Sequence, residues 1–329
     1  MLRVLSKPTE GALRREEGFD AAYDAVARWR SGKERTWIDV QAATPDEVDF
    51  LLWELNFEDL SLEDATRPDT PPKAEEVGEQ GSRAAYLLVI ARSPLKGGPE
   101  GSEGVALLLR PGLLVTVHTR PSARVDSAMA RVERDPSATI GKGIELAAYA
   151  LLDEFVEGYQ PVLADFDHRI EQLEEAILAR RGRREFEAIL RLRRDIAQVW
   201  RDVRPMRDLL ASLAREGHPL IKAKARVALR DLYDHTQRAL DRLENDRESV
   251  ASLRDAHLSL ENNRMNEVMR ALTVVSAVGG ALAVITGVFG MNFTHIPGLD
   301  SPAGFWATIG GMVVLSVTIV ALFRLKRWV

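Results

Sequence analysis

One stretch, residues 271–323, limits what this chain can fold into. It contains no Lys, Arg or Glu, and its only ionisable side chains are His295 and Asp300. Two apolar runs, 271–289 and 303–323, flank a short break that is rich in Gly and Pro. Each run is about 20 residues long, enough for a helix to cross a hydrocarbon core of roughly 30 Å. Because unpaired backbone groups cannot lie in lipid, the sequence predicts a transmembrane helical hairpin with its turn at one membrane surface.

Basic residues flank both runs and set the predicted orientation. Arg264 and Arg270 precede the first run, and Arg324, Lys326 and Arg327 follow the second. The loop between the runs has neither Lys nor Arg. The positive-inside rule therefore predicts that both chain ends lie in the cytoplasm and that the loop lies outside.

The composition excludes several classes of function. The formal net charge of −5 gives no reason to expect a nucleic-acid partner. The chain has no cysteine, so thiolate metal sites and disulfides are excluded. It has no Gly-x-x-x-x-Gly-Lys phosphate loop and no clear nucleophile–base constellation, so the sequence predicts that the protein is not an enzyme.

Residues 1–140 have the pattern of a mixed α/β domain. Predicted strands are rich in Val, Leu and Ile and cover residues 3–5, 36–40, 85–91, 105–110 and 113–118. Predicted helices cover residues 21–29, 45–55 and 122–132. From Ile144 the pattern is helical, with one helix over 144–180, broken or not near Gly158, a second over about 184–215 and a third that begins near Leu220.

The third helix has no Gly or Pro before Gly279, and its register continues into the first apolar run. It is therefore about 70 residues long, roughly 100 Å at 1.5 Å per residue, and would couple a cytoplasmic domain to the membrane. A 3–4 spacing predicts a seam that packs against other helices, formed by Leu229, Leu232, Leu240, Leu243, Val250, Leu253, His257 and Leu260.

A two-span hairpin encloses no pathway, so it is either an anchor or one part of a pore built from several copies. One face of the first span carries small or polar residues: Asn266, Met269, Thr273, Ser276, Gly280, Ala283, Gly287 and Gly290. Such a face can line water or let helices pack closely, and the stripe alone leaves both interpretations open.

The segment after this span is Thr286-Gly287-Val288-Phe289-Gly290-Met291-Asn292-Phe293. Its Gly-Met-Asn, placed between the last two spans, resembles the signature of the CorA magnesium-channel family. The resemblance extends to residues 266–273 at the entry to the pore helix, to 230–236 on the long helix, and to 62–65 with 72–73 in the N-terminal domain.

The resemblance implies an architecture. It is an α+β cytoplasmic domain with a long-helix stalk and two transmembrane helices, assembled as a funnel-shaped homopentamer in the lipid of a bacterial inner membrane. The expected parts are an α/β domain (1–140), a helical domain and stalk (141–270), a pore helix (271–290), an extracytoplasmic loop (291–302), a second span (303–323) and a basic cytoplasmic tail (324–329).

The resemblance also assigns roles to residues. Gly290, Met291 and Asn292 would form the selectivity filter, where neutral amide oxygens accept hydrogen bonds from the waters of a hydrated ion. Met269 and Leu272 would form an apolar gate, and the small or polar stripe would line the pore. Divalent ions shared between subunits would regulate it by binding carboxylates, for which the matching positions are Glu63, Asp64, Asp231, Asp234, Asp167 and Glu171.

The implied function is a channel that moves hydrated Mg²⁺, and also Co²⁺ or Ni²⁺, under the control of cytoplasmic divalent ions. The loop departs from the family at Gly298, where a Glu is usual, and Gly280 stands where a bulky Met is common. His295 suits Zn²⁺, so a zinc transporter of the ZntB type, possibly coupled to protons, is an alternative. A membrane-anchored structural or sensor protein that conducts nothing is a second one.

Overall fold

The computed structural model describes residues 1–67, 69–78, 85–95, 101–179, 184–215, 220–291 and 302–326. The chain separates into two compact units, Met1–Ser252 and Leu253–Val329. The described strands of the first unit are β1 (Leu2–Pro8), β2 (Arg14–Glu17), β3 (Glu34–Gln41), β4 (Lys73–Val77), β5 (Tyr86–Pro94), β6 (Ser102–Arg110) and β7 (Leu113–His118). They form one sheet in the order β2-β1-β3-β7-β6-β5-β4.

Among these strands, β3 and β7 form the parallel pair, and every other neighbouring pair is antiparallel. One face of the sheet packs against a hydrophobic core that includes Ala22, Phe50 and Leu62. The other face, including Leu87 and Leu107, meets a fifth helix that begins at Ile144. The sheet is therefore covered by helices on both faces.

The described helices are α1 (Phe19–Arg30), α2 (Pro45–Asp49), α3 (Asp59–Thr66), α4 (Ala123–Arg134), α5 (Ile144–Glu157), α6 (Gln160–Leu178), α7 (Arg184–Leu213), α8 (Ala223–Phe289) and α9 (Pro302–Leu325). A π-helical turn, Phe50–Glu54, follows α2 directly. The helix predicted over 45–55 is thus an α-helix in its first half and a π-helix in its second half. Its start is fixed by a capping box in which Thr44 and Glu47 each bond the other's backbone N–H.

The five predicted strands are confirmed: 3–5, 36–40 and 105–110 lie within longer strands, 113–118 has the observed bounds of β7, and 85–91 overlaps β5, which begins one residue later and ends three residues later. Three elements were missed: β2, β4 and α3. The two strands lie at the sheet edges and are rich in charge, so they lack the apolar alternation that marks a half-buried strand. The α3 helix has just eight residues and little amphipathic character, which hides it from a search for periodicity.

The stretch 144–180 contains two helices, because α5 ends at Glu157 and α6 begins at Gln160. Gly158 lies at the break. A Cβ on this residue would overlap the Ser93 hydroxyl and the Arg124 guanidinium, so a glycine allows the helix end to approach β5 closely. Tyr159, which is fully buried, donates its hydroxyl hydrogen to the Arg92 carbonyl at 2.6 Å.

The long third helix is confirmed as α8, which has 67 residues and passes from the first unit into the second. Its seam is buried from Leu229 to Leu253, whereas His257 and Leu260 are half-buried. Among the described residues, α8 and the segment Ala303–Leu325 of α9 are each long and apolar enough to cross a membrane, with a mean hydropathy of 2.1 in their most apolar windows.

Candidate ion pathway and regulatory acids

The predicted selectivity filter begins where α8 ends. The Gly290 N–H donates to the Thr286 carbonyl at 2.9 Å and to the Gly287 carbonyl at 3.2 Å. A Cβ on Gly290 would lie 3.2 Å from the Thr286 carbonyl oxygen, so a larger residue would crowd this turn. Met291 follows in the turn and is exposed. Asn292 lies outside the described residues, as do His295, Gly298 and Asp300.

The predicted pore-lining stripe occupies one exposed face of α8 in the single chain. Exposed positions on it are Asn266, Met269, Leu272, Thr273, Ser276, Gly280, Ala283, Gly287 and Gly290. The shielded face comprises Val274, which is buried, and half-buried Ala277, Val278, Ala281, Leu282 and Ile285. The helix therefore has one shielded apolar side, and no other described residue of the same chain covers its small and polar side.

The Thr273 hydroxyl, on the predicted pore-lining stripe, bonds within its own helix. Its hydroxyl hydrogen is donated to the Met269 carbonyl of the same helix at 2.7 Å. With that hydrogen engaged, the hydroxyl oxygen can only accept further hydrogen bonds. The waters around a hydrated cation are donors, so this oxygen can receive them without stripping the ion.

The second span faces α8 near its loop-side end. A groove of about 400 Å³ separates the two helices, lined by Ile285, Thr286, Phe289, Gly290, Gly304, Phe305, Thr308, Ile309 and Met312. On α9, the hydroxyls of Thr308 and Ser316 donate to carbonyls one turn earlier, at 2.9 and 2.8 Å. These polar groups are therefore satisfied within the helix, as lipid requires.

Asp64 and Glu63, the first pair of predicted regulatory acids, lie on α3. The Lys73 ammonium at the start of β4 donates to the Asp64 carboxylate at 2.7 Å and to the Glu75 carboxylate at 2.9 Å. Burial lowers the pKa of Lys73, but the hydrogen bonds to these two carboxylates outweigh it and leave that pKa raised. Glu63 pairs with the Arg67 guanidinium one turn further along.

Asp231 and Asp234, the second pair, lie on α8 and are both exposed. A His235 ring nitrogen lies 3.7 Å from the Asp231 carboxylate. Tyr149 of α5 is close enough to Asp231 to be affected by its charge. Burial raises the pKa of the Tyr149 hydroxyl, and the charges of Asp153 and Asp231 raise it further.

Two acids of α5, Asp153 and Glu157, were missed at the sequence level. Asp153 is buried and pairs with Arg131 of α4. Burial raises the pKa of Glu157, and the charge of Asp153 adds to the rise. Asp153 could have been recognised from the sequence, because it lies inside the apolar run of α5, where a solvated acid is not expected.

Asp167 and Glu171, the weaker third pair, lie on α6, and Glu171 is exposed. The Arg242 guanidinium of α8 donates to the Asp167 carboxylate at 2.6 Å. A further buried acid, Asp246 of α8, was not singled out from the sequence. It is 6% exposed, and its Oδ2 has no hydrogen-bond partner among the described residues. Burial raises the pKa of Asp246 to about 6, and the neighbouring Asp167 charge contributes.

No group of three or more His, Asp or Glu within the described part of a single chain could hold a metal ion. Four of the six predicted acids, Glu63, Asp64, Asp167 and Asp231, instead face a basic side chain of the same chain.

These features define a class: a membrane protein with two apolar spans, a water-exposed α+β domain, and one helix shared between them. The family model described as "CorA-like Mg2+ transporter protein" matches residues 32–327, and the chain belongs to that family. The resemblance drawn from the Gly-Met-Asn segment is thereby confirmed.

The relatives cover nearly the whole chain. The cobalt/magnesium transport protein CorA of Methanocaldococcus jannaschii is 28% identical over 294 residues, 89% of this chain and 91% of that protein. The protein of the same name from Thermotoga maritima is 28% identical over 309 residues, 93% of this chain and 86% of that one. A zinc transport protein ZntB from Pectobacterium atrosepticum is more distant, 22% identical over 295 residues, 89% of this chain and 87% of that protein.

The fold has a full-length counterpart among solved structures. The complete structure of the CorA magnesium transporter from Methanocaldococcus jannaschii matches with a TM-score of 0.80 and 26% identity, covering 99% of this chain and 98% of that one. The predicted α+β domain, long helix and two apolar helices are thus confirmed as the fold of this chain.

Proposed function

We propose that this protein moves hydrated divalent cations across a membrane, with Mg²⁺ as the main cargo and Co²⁺ and Ni²⁺ as further ones. The observation that carries the proposal is the exposed stripe of α8, which is small or polar except at Met269 and Leu272 and leads to Gly290 and Met291. The relatives named as cobalt/magnesium transport proteins support the choice of Mg²⁺ and Co²⁺.

Several copies are needed to turn this face into a pathway, and the proposal takes five, arranged as a funnel around a central pore. Residues 271–290 would line the pore and 303–323 would lie outside them. Asn292 of each copy would contribute an amide oxygen to a ring at the outer mouth. A neutral ring binds a hydrated ion without holding it too tightly, which conduction requires.

The driving force would be the membrane potential. A dication gains roughly 4.6 kcal/mol on crossing 100 mV, at about 2.3 kcal/mol per charge, so transport needs no nucleotide. The basic tail after α9 supports an orientation with both ends in the cytoplasm of a bacterial cell and the 291–302 loop outside.

Control by the transported ion forms the second half of the proposal. Carboxylates of neighbouring copies would share divalent ions while the cytoplasm is replete and repel each other when the ions leave. Asp64 and Asp231 are the main ligands in this scheme, with Glu63, Asp234, Asp167 and Glu171 as weaker ones. Rings of Met269 and Leu272 would close the pore by excluding water.

A zinc transporter is the second candidate. His295 in the loop favours it, because imidazole is a common zinc ligand, and the ZntB relatives span a similar share of the chain.

The test is ion flux into liposomes that contain the purified full-length protein, under an imposed inside-negative potential. We expect Mg²⁺, Co²⁺ and Ni²⁺ entry above that of empty liposomes, independent of a pH gradient. Zinc entry that exceeds magnesium entry and depends on the pH gradient would favour the zinc transporter. No flux of any of the four ions would indicate a non-conducting membrane protein.

A further inference from the structure

The Lys73 ammonium lies between two carboxylates, Asp64 of α3 and Glu75 of β4, at 2.7 and 2.9 Å. The side chains of Lys73 and Asp64 are 26% and 31% exposed, so the pair is partly desolvated yet reachable from water. A cation of this chain therefore already occupies the carboxylate oxygen that a divalent ion would use.

The backbone around Lys73 holds this arrangement in place. Two prolines precede Lys73, and proline fixes its own φ angle. Lys73 is the first residue of β4 and pairs with Ile90 of β5.

The loop before these prolines is hydrogen-bonded to α3 on one side and to β5 on the other. The Thr70 hydroxyl donates to the Asp64 carbonyl at 3.0 Å, and the Arg92 guanidinium contacts the Thr70 carbonyl at 3.4 Å. The fold thus holds the backbone of Lys73 close to Asp64, within reach of the lysine side chain.

Lysine is suited to give way to another cation. Its ammonium is a compact charge on a flexible four-carbon stem, unlike the planar fork of arginine. Glu75 offers it a second partner on the same strand, so the ammonium can leave Asp64 without losing every carboxylate contact. A divalent ion at Asp64 would repel the ammonium, and the two cations cannot both hold the same oxygen.

We propose that Lys73 is a tethered cation that competes with the regulatory divalent ion for Asp64 and thereby sets the ion concentration at which the transporter closes. The inference rests on the proposed function, in which Asp64 is a regulatory ligand. While Lys73 holds Asp64, the carboxylate is neutralised and repels a neighbouring acid less. When Mg²⁺ displaces Lys73, the same carboxylate becomes part of the closed assembly.

Competition has a distinctive consequence. Removing the competitor strengthens Mg²⁺ binding, whereas damage to the fold weakens it. Lys73→Met keeps an unbranched side chain and removes the charge. We expect this variant to close at a Mg²⁺ concentration about two- to fivefold lower than wild type, the scale of one partly exposed ion pair. Lys73→Arg keeps a charge beside Asp64 and should stay at or above the wild-type midpoint.

The experiment measures the Mg²⁺ midpoint for protease protection of the full-length protein in liposomes, together with Mg²⁺ inhibition of Co²⁺ influx. The matched control is Lys222→Met, since Lys222 pairs with Glu145, which is not a proposed ligand. Asp64→Asn and the Asp64→Asn, Lys73→Met double variant complete a cycle. The effect of Lys73→Met should vanish when Asp64 is already neutral.

The outcomes separate this inference from the function on which it rests. An unchanged or higher midpoint in Lys73→Met, with wild type still transporting and still protected by Mg²⁺, overturns the role of Lys73 alone. An equal downward shift in Lys222→Met would show a general charge effect and overturn it too. Absence of flux and of Mg²⁺ protection in wild type would overturn the proposed function itself.

Discussion

Asp39 and His118 face each other across the parallel strands β3 and β7, with 3.2 Å between Oδ1 of the carboxylate and Nε2 of the imidazole. Both side chains are almost fully buried. Arg3 of the adjacent strand β1 also donates to the Asp39 carboxylate, at 2.7 Å. Three ionisable groups thus meet across β1, β3 and β7, and each is tolerated there because it has a partner.

This network predicts the pH dependence of stability in the first unit. Burial lowers the pKa of His118, but its hydrogen bond to Asp39 and the charge of Asp39 outweigh burial and leave that pKa raised. Its stabilising contribution is therefore complete below the unfolded pKa of about 6.5 and is lost as pH rises through the raised folded value. Burial raises the pKa of Asp39, but His118, Thr116 and Arg3 outweigh it and leave that pKa lowered. Its contribution is present above about pH 3.9 and is lost as pH falls through the lowered value.

We therefore expect the thermal unfolding midpoint of the purified protein to be highest between about pH 4 and 6.5, with a decline above that range. In His118→Gln the charge is absent, so the alkaline decline should be weaker, and the acid decline should also shrink, because His118 is the largest of the groups that lower the pKa of Asp39. Identical alkaline slopes for both proteins would show that His118 is not the group responsible.

Asn292 carries the prediction for the outer pore mouth. Asn292→Ala removes an amide acceptor that would hold the waters of the ion, and a net hydrogen bond to a charged group is worth about 1.5–3 kcal/mol. Mg²⁺ uptake should fall by about tenfold or more, with assembly unchanged on size-exclusion chromatography. Wild-type uptake in this variant would mean that Asn292 only shapes the turn.

The exposed stripe of α8 leads to a prediction about assembly. If five stripes surround one pore, graded chemical crosslinking in the membrane should give a ladder that ends at five subunits. A single cysteine at Ser276, the sole cysteine of such a variant, should form disulfides between copies. A ladder that ends at two or four subunits would contradict the pentameric pore.

Asp64 and Asp231 carry the prediction for regulation. Asp231→Ala or Asp64→Ala weakens an ion bridge between copies, repeated at five boundaries. Each bridge is modest, about 1 kcal/mol at 4 Å in water and more where solvent is excluded, but about 5.5 kcal/mol is enough to invert a two-state equilibrium. We expect a higher Mg²⁺ midpoint for protease protection in both variants. Asp208→Ala is the control, because Asp208 is an exposed acid paired with its neighbour Arg207. Equal midpoints in all four proteins would identify Asp64 and Asp231 as ordinary surface acids.

The sequence predicted best where a long-range physical constraint acts on many residues at once. Two charge-free runs and an unbroken helical register were enough to predict α8 and α9. The edge strands β2 and β4 were invisible because their stability comes from pairing with β1 and β5, which no local pattern reveals.

For a similar reason, the side chains that surround the predicted site residues could be predicted only in part. Motif resemblance predicted regulatory roles for Asp64 and Asp231, but not the basic side chains that lie beside them. Lys73 is nine residues from Asp64 and reaches it because a loop returns the chain to α3. Asp246 is one of the 49 Asp and Glu residues of the chain, and its burial depends on how α8 packs against other helices.

Met269 and Leu272 are 55% and 56% exposed in the single chain, on the face of α8 that would line the pore. If their rings close the pathway by excluding water, polarity at this level should admit water and ions. Leu272→Ser should therefore leak Co²⁺ into liposomes at Mg²⁺ concentrations that close wild type. Leu272→Val, which keeps the ring apolar, should close normally. The readout is residual influx at saturating Mg²⁺, with the Mg²⁺ midpoint for protease protection measured alongside. A Leu272→Ser variant that closes as tightly as wild type, with its protection unchanged, would place the gate elsewhere on α8.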